Sequence, residues 1–137
     1  MIVRTRQLKS EFLQKTSDIC ETLFFYIRDG HIQKFEQLFE IHKDFIENKD
    51  KLGNTMLNYA VQNNMYDIVE YLIKNGADIN TYNNDLNTPL HYALSFKYFT
   101  ISDLLIKEGA NEKALNIHGM TPWQCLKQPL DESSSEY

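Results

Sequence analysis

The sequence has few cysteines and few glycines, and it lacks any long apolar run. Its two cysteines, Cys20 and Cys125, lie far apart without metal-ligand spacing, which favours free thiols in a reducing compartment. Five glycines leave little room for a glycine-rich phosphate loop. No stretch approaches the roughly 20 apolar residues of a membrane span, and no secretory signal is visible near the start. These absences predict neither a disulfide-bonded framework nor a membrane-inserted protein.

Basic residues are also in deficit, with 14 Lys and Arg against 19 Asp and Glu and a net charge of -5. Proteins that bind phosphate backbones usually show a basic stripe, so no nucleic acid partner is expected. The four histidines do not form H-x-x-H or H-E-x-x-H motifs, and no nucleophile elbow is present. The sequence therefore predicts no metal, no cofactor and no enzyme. The length of 137 residues and the hydrophobic share of 42% fit one globular domain.

What the sequence does contain is an internal period of 33 residues. The segment NTMLNYA at 54–60 returns as NTPLHYA at 87–93, and its Thr-Pro start returns at Thr121. A second landmark, YLIKNGAD at 71–78, is echoed in phase by LLIKEGAN at 104–111. Two landmarks with one spacing indicate a repeat protein.

Each repeat has the features of two short helices followed by a polar turn. Thr88 is suited to cap the first helix and Pro89 to occupy its first turn. The second helix carries a buried-type stripe at Ile68, Val69, Leu72 and Ile73, and Gly76 is placed to end it, as Gly109 is in the next unit. Because no unit can bury its stripe alone, the units are expected to stack into a short solenoid.

The motif TPLHYA at 88–93, followed by Leu104-Leu105 and Gly109-Ala110, resembles the ankyrin repeat consensus. This resemblance implies an all-α solenoid of helix-turn-helix units with hairpin loops, with about four units including divergent terminal caps. It also implies that His91 is structural and hydrogen-bonds between neighbouring units. The sequence departs from the family pattern at five positions. Met56 and Asn58 replace Pro and His, Leu86 replaces the hairpin Gly, and Asn64 and Lys97 replace the Gly between the helices.

Three regions are predicted along the chain. Residues 1–20 are expected to form a capping helix over the open end of the stack, since Leu8, Phe12, Ile19 and Leu23 share a helical face. Residues 21–130 form the repeat domain, with units at about 21–49, 50–82, 83–115 and 116–130. Residues 131–137 form an acidic, serine-rich tail that is expected to be disordered. The alternatives are a partner-binding or membrane-surface helix at the start and a phosphorylated recognition segment at the end.

The function that the resemblance implies is binding of a protein partner through a concave surface of hairpin tips and first-helix faces. Leu52, Tyr82, Phe96, Ile117 and Met120 are expected to form an apolar anchor patch there, although some of them instead fit packing between hairpins. The full set of predicted binding residues is Lys51, Leu52, Asn54, Gln62, Asn63, Tyr82, Asn84, Asp85, Asn87, Ser95, Phe96, Ile117, His118 and Met120.

Three interpretations of this binding function remain open. The chain is a stand-alone adaptor or inhibitor, a bacterial or viral effector that mimics a host protein of this kind, or a binding fragment of a larger enzyme or channel. A monomer in the cytoplasm is expected, with the nucleus, or the host cytosol for an effector, as other locations. The resemblance also suggests hydroxylation of Asn80, against the simpler role of a turn asparagine that bonds its own backbone.

Overall fold

The computed structural model describes residues 2–128, with side chains from Thr5 onward. This part of the chain is helical and contains no β-strand, which confirms the all-α prediction. The helices are α1 (Ile2–Asp29), α2 (Ile32–Ile41), α3 (Met56–Gln62), α4 (Tyr66–Lys74), α5 (Pro89–Ser95), α6 (Phe99–Lys107) and α7 (Pro122–Lys127), with a 3-10 turn at Lys43–Phe45. The predicted tail, residues 131–137, lies outside the described residues.

The first helices of the repeats begin at a threonine, as the sequence predicts. The hydroxyl of Thr55 accepts a hydrogen bond from the backbone N–H of Asn58, and Thr88 does the same for His91. Thr121 repeats the arrangement at α7. Each cap satisfies a backbone donor that has no partner inside the helix, which fixes where the helix starts.

The second helices end at glycines with left-handed backbone conformation. Gly76 has φ +89° and Gly109 has φ +100°, values that other residues adopt only at a cost. Before these ends, α4 buries Ile68, Val69 and Leu72. In α6 the corresponding stripe contains Ile101 and Leu105. The helical period of the stripe and the position of its end are therefore confirmed.

The helices pack in a regular order that follows the repeats. Helices α1, α3, α5 and α7 form one row, and α2, α4 and α6 each pack beside the first helix of their own unit. The stripes merge into one continuous core, from Leu23 and Ile27 in α1 to Leu90 and Leu105 in the third unit. Full burial of one such side chain contributes about 2 kcal/mol.

Three of the five departures from the family pattern coincide with unusual backbone. Asn64, Leu86 and Lys97 have φ values of +55°, +58° and +60°. The fold keeps the left-handed conformation at these turns although glycine is absent. Asparagine tolerates this conformation, whereas leucine and lysine adopt it at a cost of about 1 kcal/mol or more.

The N-terminal region differs from its prediction. One uninterrupted helix, α1, runs through the boundary placed near residue 20 and supplies the first helix of the first unit. Residues 2–29 contain no Gly or Pro that would end the helix on either side of this boundary. Leu8 and Phe12 are 59% and 69% exposed, so this stretch does not cover the open end of the stack. Burial along the predicted face begins only at Ile19 and is complete at Leu23.

Candidate protein-binding surface

Three hairpins project from the row of first helices: hairpin 1 (residues 49–54), hairpin 2 (82–87) and hairpin 3 (115–120). In hairpin 1, one carboxylate oxygen of Asp50 accepts hydrogen bonds from the N–H groups of Leu52 and Asn54, both at 2.9 Å. The same pair of bonds recurs from Asp85 and Asn87 to Asn83, and from His118 and Met120 to Asn116. An Asp or Asn side chain thus closes every hairpin tip in the same way.

Backbone hydrogen bonds join each hairpin tip to the next. The N–H of Asn84 donates to the carbonyl of Leu52 at 3.0 Å, and the N–H of Ile117 donates to the carbonyl of Asp85 at 2.9 Å. The approach is close at Gly53, where a Cβ would lie 2.9 Å from the backbone N of Asn84. The three tips therefore form one continuous edge and not three independent loops.

Beneath the tips, asparagine side chains form a second set of links. The amide of Asn83 donates to Asn54 Oδ1, and the amide of Asn116 donates to Asn87 Oδ1, both at 3.0 Å. Gln62 adds a further bond to Asn54 Oδ1 at 2.9 Å. All four asparagines are buried, which requires that their polar atoms be paired within the protein.

His91 connects its own unit to the following hairpin. Its Nε2 lies 2.9 Å from the carbonyl oxygen of Met120, and its Nδ1 lies 3.1 Å from the backbone N of Thr88. Nδ1 accepts from the Thr88 N–H, so Nε2 carries the proton and donates to Met120. Burial lowers the pKa of His91, opposed in part by its bonds to the Met120 and Ala114 backbone. The neutral, structural histidine is the role that its motif predicts.

A profile of ankyrin repeats (three copies) matches residues 23–116, which is more than half of the chain. The chain belongs to the ankyrin repeat family. Ankyrin repeats are generally protein-protein interaction modules.

A curated relative is alpha-latroinsectotoxin-Lt1a from Latrodectus tredecimguttatus, which is 36% identical over 58 residues. The match covers 42% of this chain but only 4% of the toxin. Ankyrin repeats share the residues that cap and pack each unit. Sequence identity over this length therefore reflects the shared repeat pattern, and the toxin's activity is not inferred for this chain.

Most of the predicted binding residues are accessible on this ankyrin surface. Leu52, Tyr82 and Ile117 are 67%, 53% and 58% exposed at the tips of successive hairpins, and Phe96 is 38% exposed at the end of α5. The accessible or half-buried remainder consists of Lys51, Gln62, Asn63, Asn84, Asp85, His118 and Met120. The structure therefore places apolar side chains from all three hairpins along one edge.

Three of the predicted binding residues are instead internal. Asn54 and Asn87 are buried in the links between hairpins, and Ser95 is buried at the end of α5. Their family positions lie on the binding surface, but in this chain their side chains contact neighbouring protein atoms. We therefore do not retain them as contact residues.

The hairpin edge has features that the sequence did not suggest. Lys49 Nζ lies 4.9 Å from the centroid of the Tyr82 ring and 3.2 Å from the Tyr82 carbonyl oxygen. Leu86 is another exposed apolar residue, at a position where glycine was expected. The sequence signals the Lys49–Tyr82 contact only through the spacing of 33 residues between them. This spacing equals one repeat, so the two residues occupy equivalent positions in neighbouring hairpins.

The first-helix face beside the hairpins is aromatic. The rings of Tyr92 and Phe96 are 5.9 Å apart, and those of Phe96 and Tyr98 are 5.6 Å apart. Tyr92 is anchored because its hydroxyl accepts from the Asn83 amide at 2.7 Å. Phe96 is thus held between two rings, which gives a fixed apolar contact at the edge of the α5 face.

Residues 2–128 offer neither a metal-ligand cluster nor a membrane-spanning helix. This range contains no group of three His, Cys, Asp or Glu side chains suited to a metal ion. None of its helices combines the length and apolar character needed to cross a membrane. Cys125 is buried, which raises the pKa of its thiol and disfavours the reactive thiolate. Asn80 accepts from the Asn111 N–H at 2.7 Å, so its side chain already links two units.

Proposed function

We propose that this chain binds a protein partner without catalysis, as an adaptor or inhibitor, through the hairpin edge and the adjoining face of the first helices. The observation that carries the proposal is the exposure of Leu52, Tyr82 and Ile117 at successive hairpin tips. Large apolar side chains that line up on one edge are typical of interaction surfaces, whereas isolated ones are common everywhere.

The rigidity of the edge supports the same proposal. Hydrogen bonds between the backbones of Leu52, Asn84, Asp85 and Ile117 hold the tips at fixed separations. A preformed surface loses less conformational freedom on binding than separate loops would, which favours affinity. Phe96 extends this surface from the tips onto α5, where its neighbouring rings restrict it.

The proposed contact residues are the accessible members of the predicted set. Aromatic residues are frequent hot spots in interfaces, so Tyr82 and Phe96 are expected to contribute most. The set consists of Lys51, Leu52, Gln62, Asn63, Tyr82, Asn84, Asp85, Phe96, Ile117, His118 and Met120. We propose in addition that the chain acts as a monomer in the cytoplasm, where its thiols stay reduced.

The test is an affinity capture from the native cell with wild type and a Leu52→Ala/Tyr82→Ala/Phe96→Ala variant. A matched control, Leu8→Ala/Ile41→Ala/Phe99→Ala, removes exposed apolar side chains of similar size elsewhere. Circular dichroism verifies that all three proteins fold equally. A partner that is retained by wild type and by the control but lost by the surface variant supports the proposal. Equal capture by all three proteins contradicts it.

A second candidate is that the chain is one binding module of a larger protein. The observation that favours it is the match to a relative of which the aligned segment forms only 4%. Under this proposal the surface is the same but the partner includes neighbouring domains of the same polypeptide. Mass measurement of the endogenous protein distinguishes the two cases, since a module requires a product much larger than 16.1 kDa.

A further inference from the structure

Charge is distributed unevenly between the two sides of the repeat stack. Helices α3 and α5, which line the proposed binding surface, contain no charged residue. The second helices and the turns after them contain more acids than lysines. The acids are Glu36, Glu40, Asp44 and Glu47 around α2, Asp67, Glu70 and Asp78 around α4, and Asp103, Glu108 and Glu112 around α6, and the lysines in the same segments are Lys34, Lys43, Lys74, Lys107 and Lys113. In the three hairpins Asp50 and Asp85 are matched by Lys49 and Lys51, so the net negative charge of the protein does not come from the hairpin edge.

Hairpin 1 carries the opposite charge. Lys49 and Lys51 lie on either side of Asp50, whose carboxylate already accepts the hydrogen bonds that close the hairpin. The ion pairs among the described residues join Arg28 to Asp29, Lys43 to Glu40 and Lys74 to Glu70, and none involves either lysine of hairpin 1. Two ammonium groups thus face solvent without a carboxylate partner inside the protein.

The lysines are held next to the apolar tips. Lys49 packs over the Tyr82 ring, with its Nζ 4.9 Å from the centroid, while Lys51 directly precedes the exposed Leu52. At the other end, hairpin 3 presents Leu115 and Ile117, both 58% exposed. The edge therefore changes along its length, from basic and apolar at hairpin 1, past the exposed carboxylate of Asp85 in hairpin 2, to mainly apolar at hairpin 3.

We infer that the partner presents an acidic segment with apolar side chains, and that its carboxylates bind Lys49 and Lys51 while its apolar side chains contact Leu52, Tyr82 and Ile117. This inference rests on the proposed function and specifies the chemistry of the partner. It also fixes a direction, because the acidic end of the segment lies over hairpin 1 and the apolar end over hairpin 3. Because the second helices and the turns after them carry more acids than lysines, such a segment binds more favourably on the hairpin side.

The experiment selects binders from a displayed library of random peptides of about twelve residues, which when extended reach across all three hairpins. The bait is the full chain. We expect selected peptides to be enriched in Asp and Glu over Lys and Arg relative to the unselected library. The best peptide should bind a Lys49→Glu/Lys51→Glu variant about tenfold more weakly, since each reversal converts an attraction into a repulsion. The loss should shrink at about 500 mM NaCl, where surface charges are screened.

A matched control separates local from global charge. Lys74→Glu/Lys107→Glu changes the net charge equally but lies on the second helices, so peptide affinity should change by about twofold or less. Equal losses with both variants would overturn the inference. Peptides without acidic enrichment, or a library that yields no binder, would also overturn it.

The Leu52→Ala/Tyr82→Ala/Phe96→Ala variant distinguishes this inference from the proposed function. Neutral or basic peptides that this variant fails to bind would refute the acidic partner and leave the binding surface in place. Peptides that bind this variant as well as wild type would contradict both. Acidic peptides lost by this variant and by the hairpin 1 charge reversal support both.

Discussion

The first helices of the second and third repeats are each hydrogen-bonded to the following hairpin, but through different residues. In α5, His91 reaches the Met120 carbonyl at 2.9 Å; in α3, Asn58 reaches the Asn87 carbonyl at 3.1 Å. Both side chains are buried, and both link a first helix to the next hairpin. The hydrogen bond between a first helix and the next hairpin is therefore present in both repeats, although asparagine replaces histidine in the second.

The two starts differ in how completely their polar atoms are paired. His91 also accepts from the Thr88 N–H, which completes a capping box at α5. Asn58 has no such second bond, and its Oδ1 is buried without a hydrogen-bond partner among the described residues. A buried unpaired oxygen costs about 1 to 3 kcal/mol. The comparison shows that a shorter side chain maintains the link between repeats but leaves the local cap incomplete.

The largest effect is expected when each side chain is truncated. His91→Ala leaves the Thr88 N–H and the Met120 carbonyl unpaired and opens a cavity, so it should lower the free energy of unfolding by about 3 kcal/mol. Asn58→Ala loses one bond but also removes the unpaired oxygen, so its cost should be about 1 kcal/mol. Urea denaturation measures both. Equal losses would contradict the proposed difference between the two repeats.

The next effect comes from making the second repeat resemble the third. Asn58→His should supply both a bond to the Asn87 carbonyl and a bond from the Thr55 N–H. A gain of about 1 kcal/mol is expected, because the unpaired oxygen disappears and the cap is completed. Thermal unfolding checks this gain, and Asn58→Gln serves as a control of similar size without an imidazole. A loss of stability with histidine would show that the site at α3 lacks room for the ring.

A pH titration distinguishes the two repeats because the linking side chain is a titratable histidine, His91, in the third repeat and an asparagine, Asn58, in the second. Burial lowers the pKa of folded His91, whereas the unfolded chain takes up a proton near its ordinary pKa of about 6.5. Stability is therefore full above that pH and falls as the pH decreases toward the folded pKa, because the unfolded state then binds more protons. His91→Asn should lose less stability than wild type between about pH 7.5 and about pH 5.5. Parallel curves from urea denaturation would rule out this histidine as the cause.

The smallest effect concerns the backbone of hairpin 2. Leu86 occupies the left-handed position that glycine occupies in hairpins 1 and 3, with φ +58° against +80° at Gly53 and +71° at Gly119. Leu86→Gly should raise the free energy of unfolding by about 0.5 kcal/mol, since relief of the left-handed backbone exceeds the added entropy of the unfolded chain. Leu86→Ala retains a Cβ and should give no gain. A gain with alanine equal to that with glycine would refute a backbone origin.

The fold was largely predictable because its signals are local. Thr88, Gly76 and the stripe of α4 each act within one or two helical turns, and the structure confirms all of them. The extent of α1 was less predictable. The sequence favours a helix on both sides of residue 20, and only the absence of a breaker indicated that the two segments are continuous.

The sequence assigned residues to the hairpins and first helices, but it did not predict which of their side chains are accessible. Asn54 and Asn87 occupy family surface positions, and only the distance between neighbouring hairpins decides whether an asparagine faces solvent or the next asparagine. The separation of charge between hairpin 1 and the second helices likewise depends on the assembled stack. Such features arise between repeats, so no single repeat in the sequence reveals them.

The backbone hydrogen bonds between hairpin tips also influence local unfolding of the repeat stack. Asn84 and Ile117 donate the amide protons of these bonds, and hairpin 2 is bonded on both sides while hairpins 1 and 3 are bonded on one. Local opening of a repeat stack starts most easily at units with a single neighbour. Hydrogen-deuterium exchange at these two amides therefore reports separately on detachment of the first and of the last hairpin, and the two exchange times indicate which end of the stack frays first.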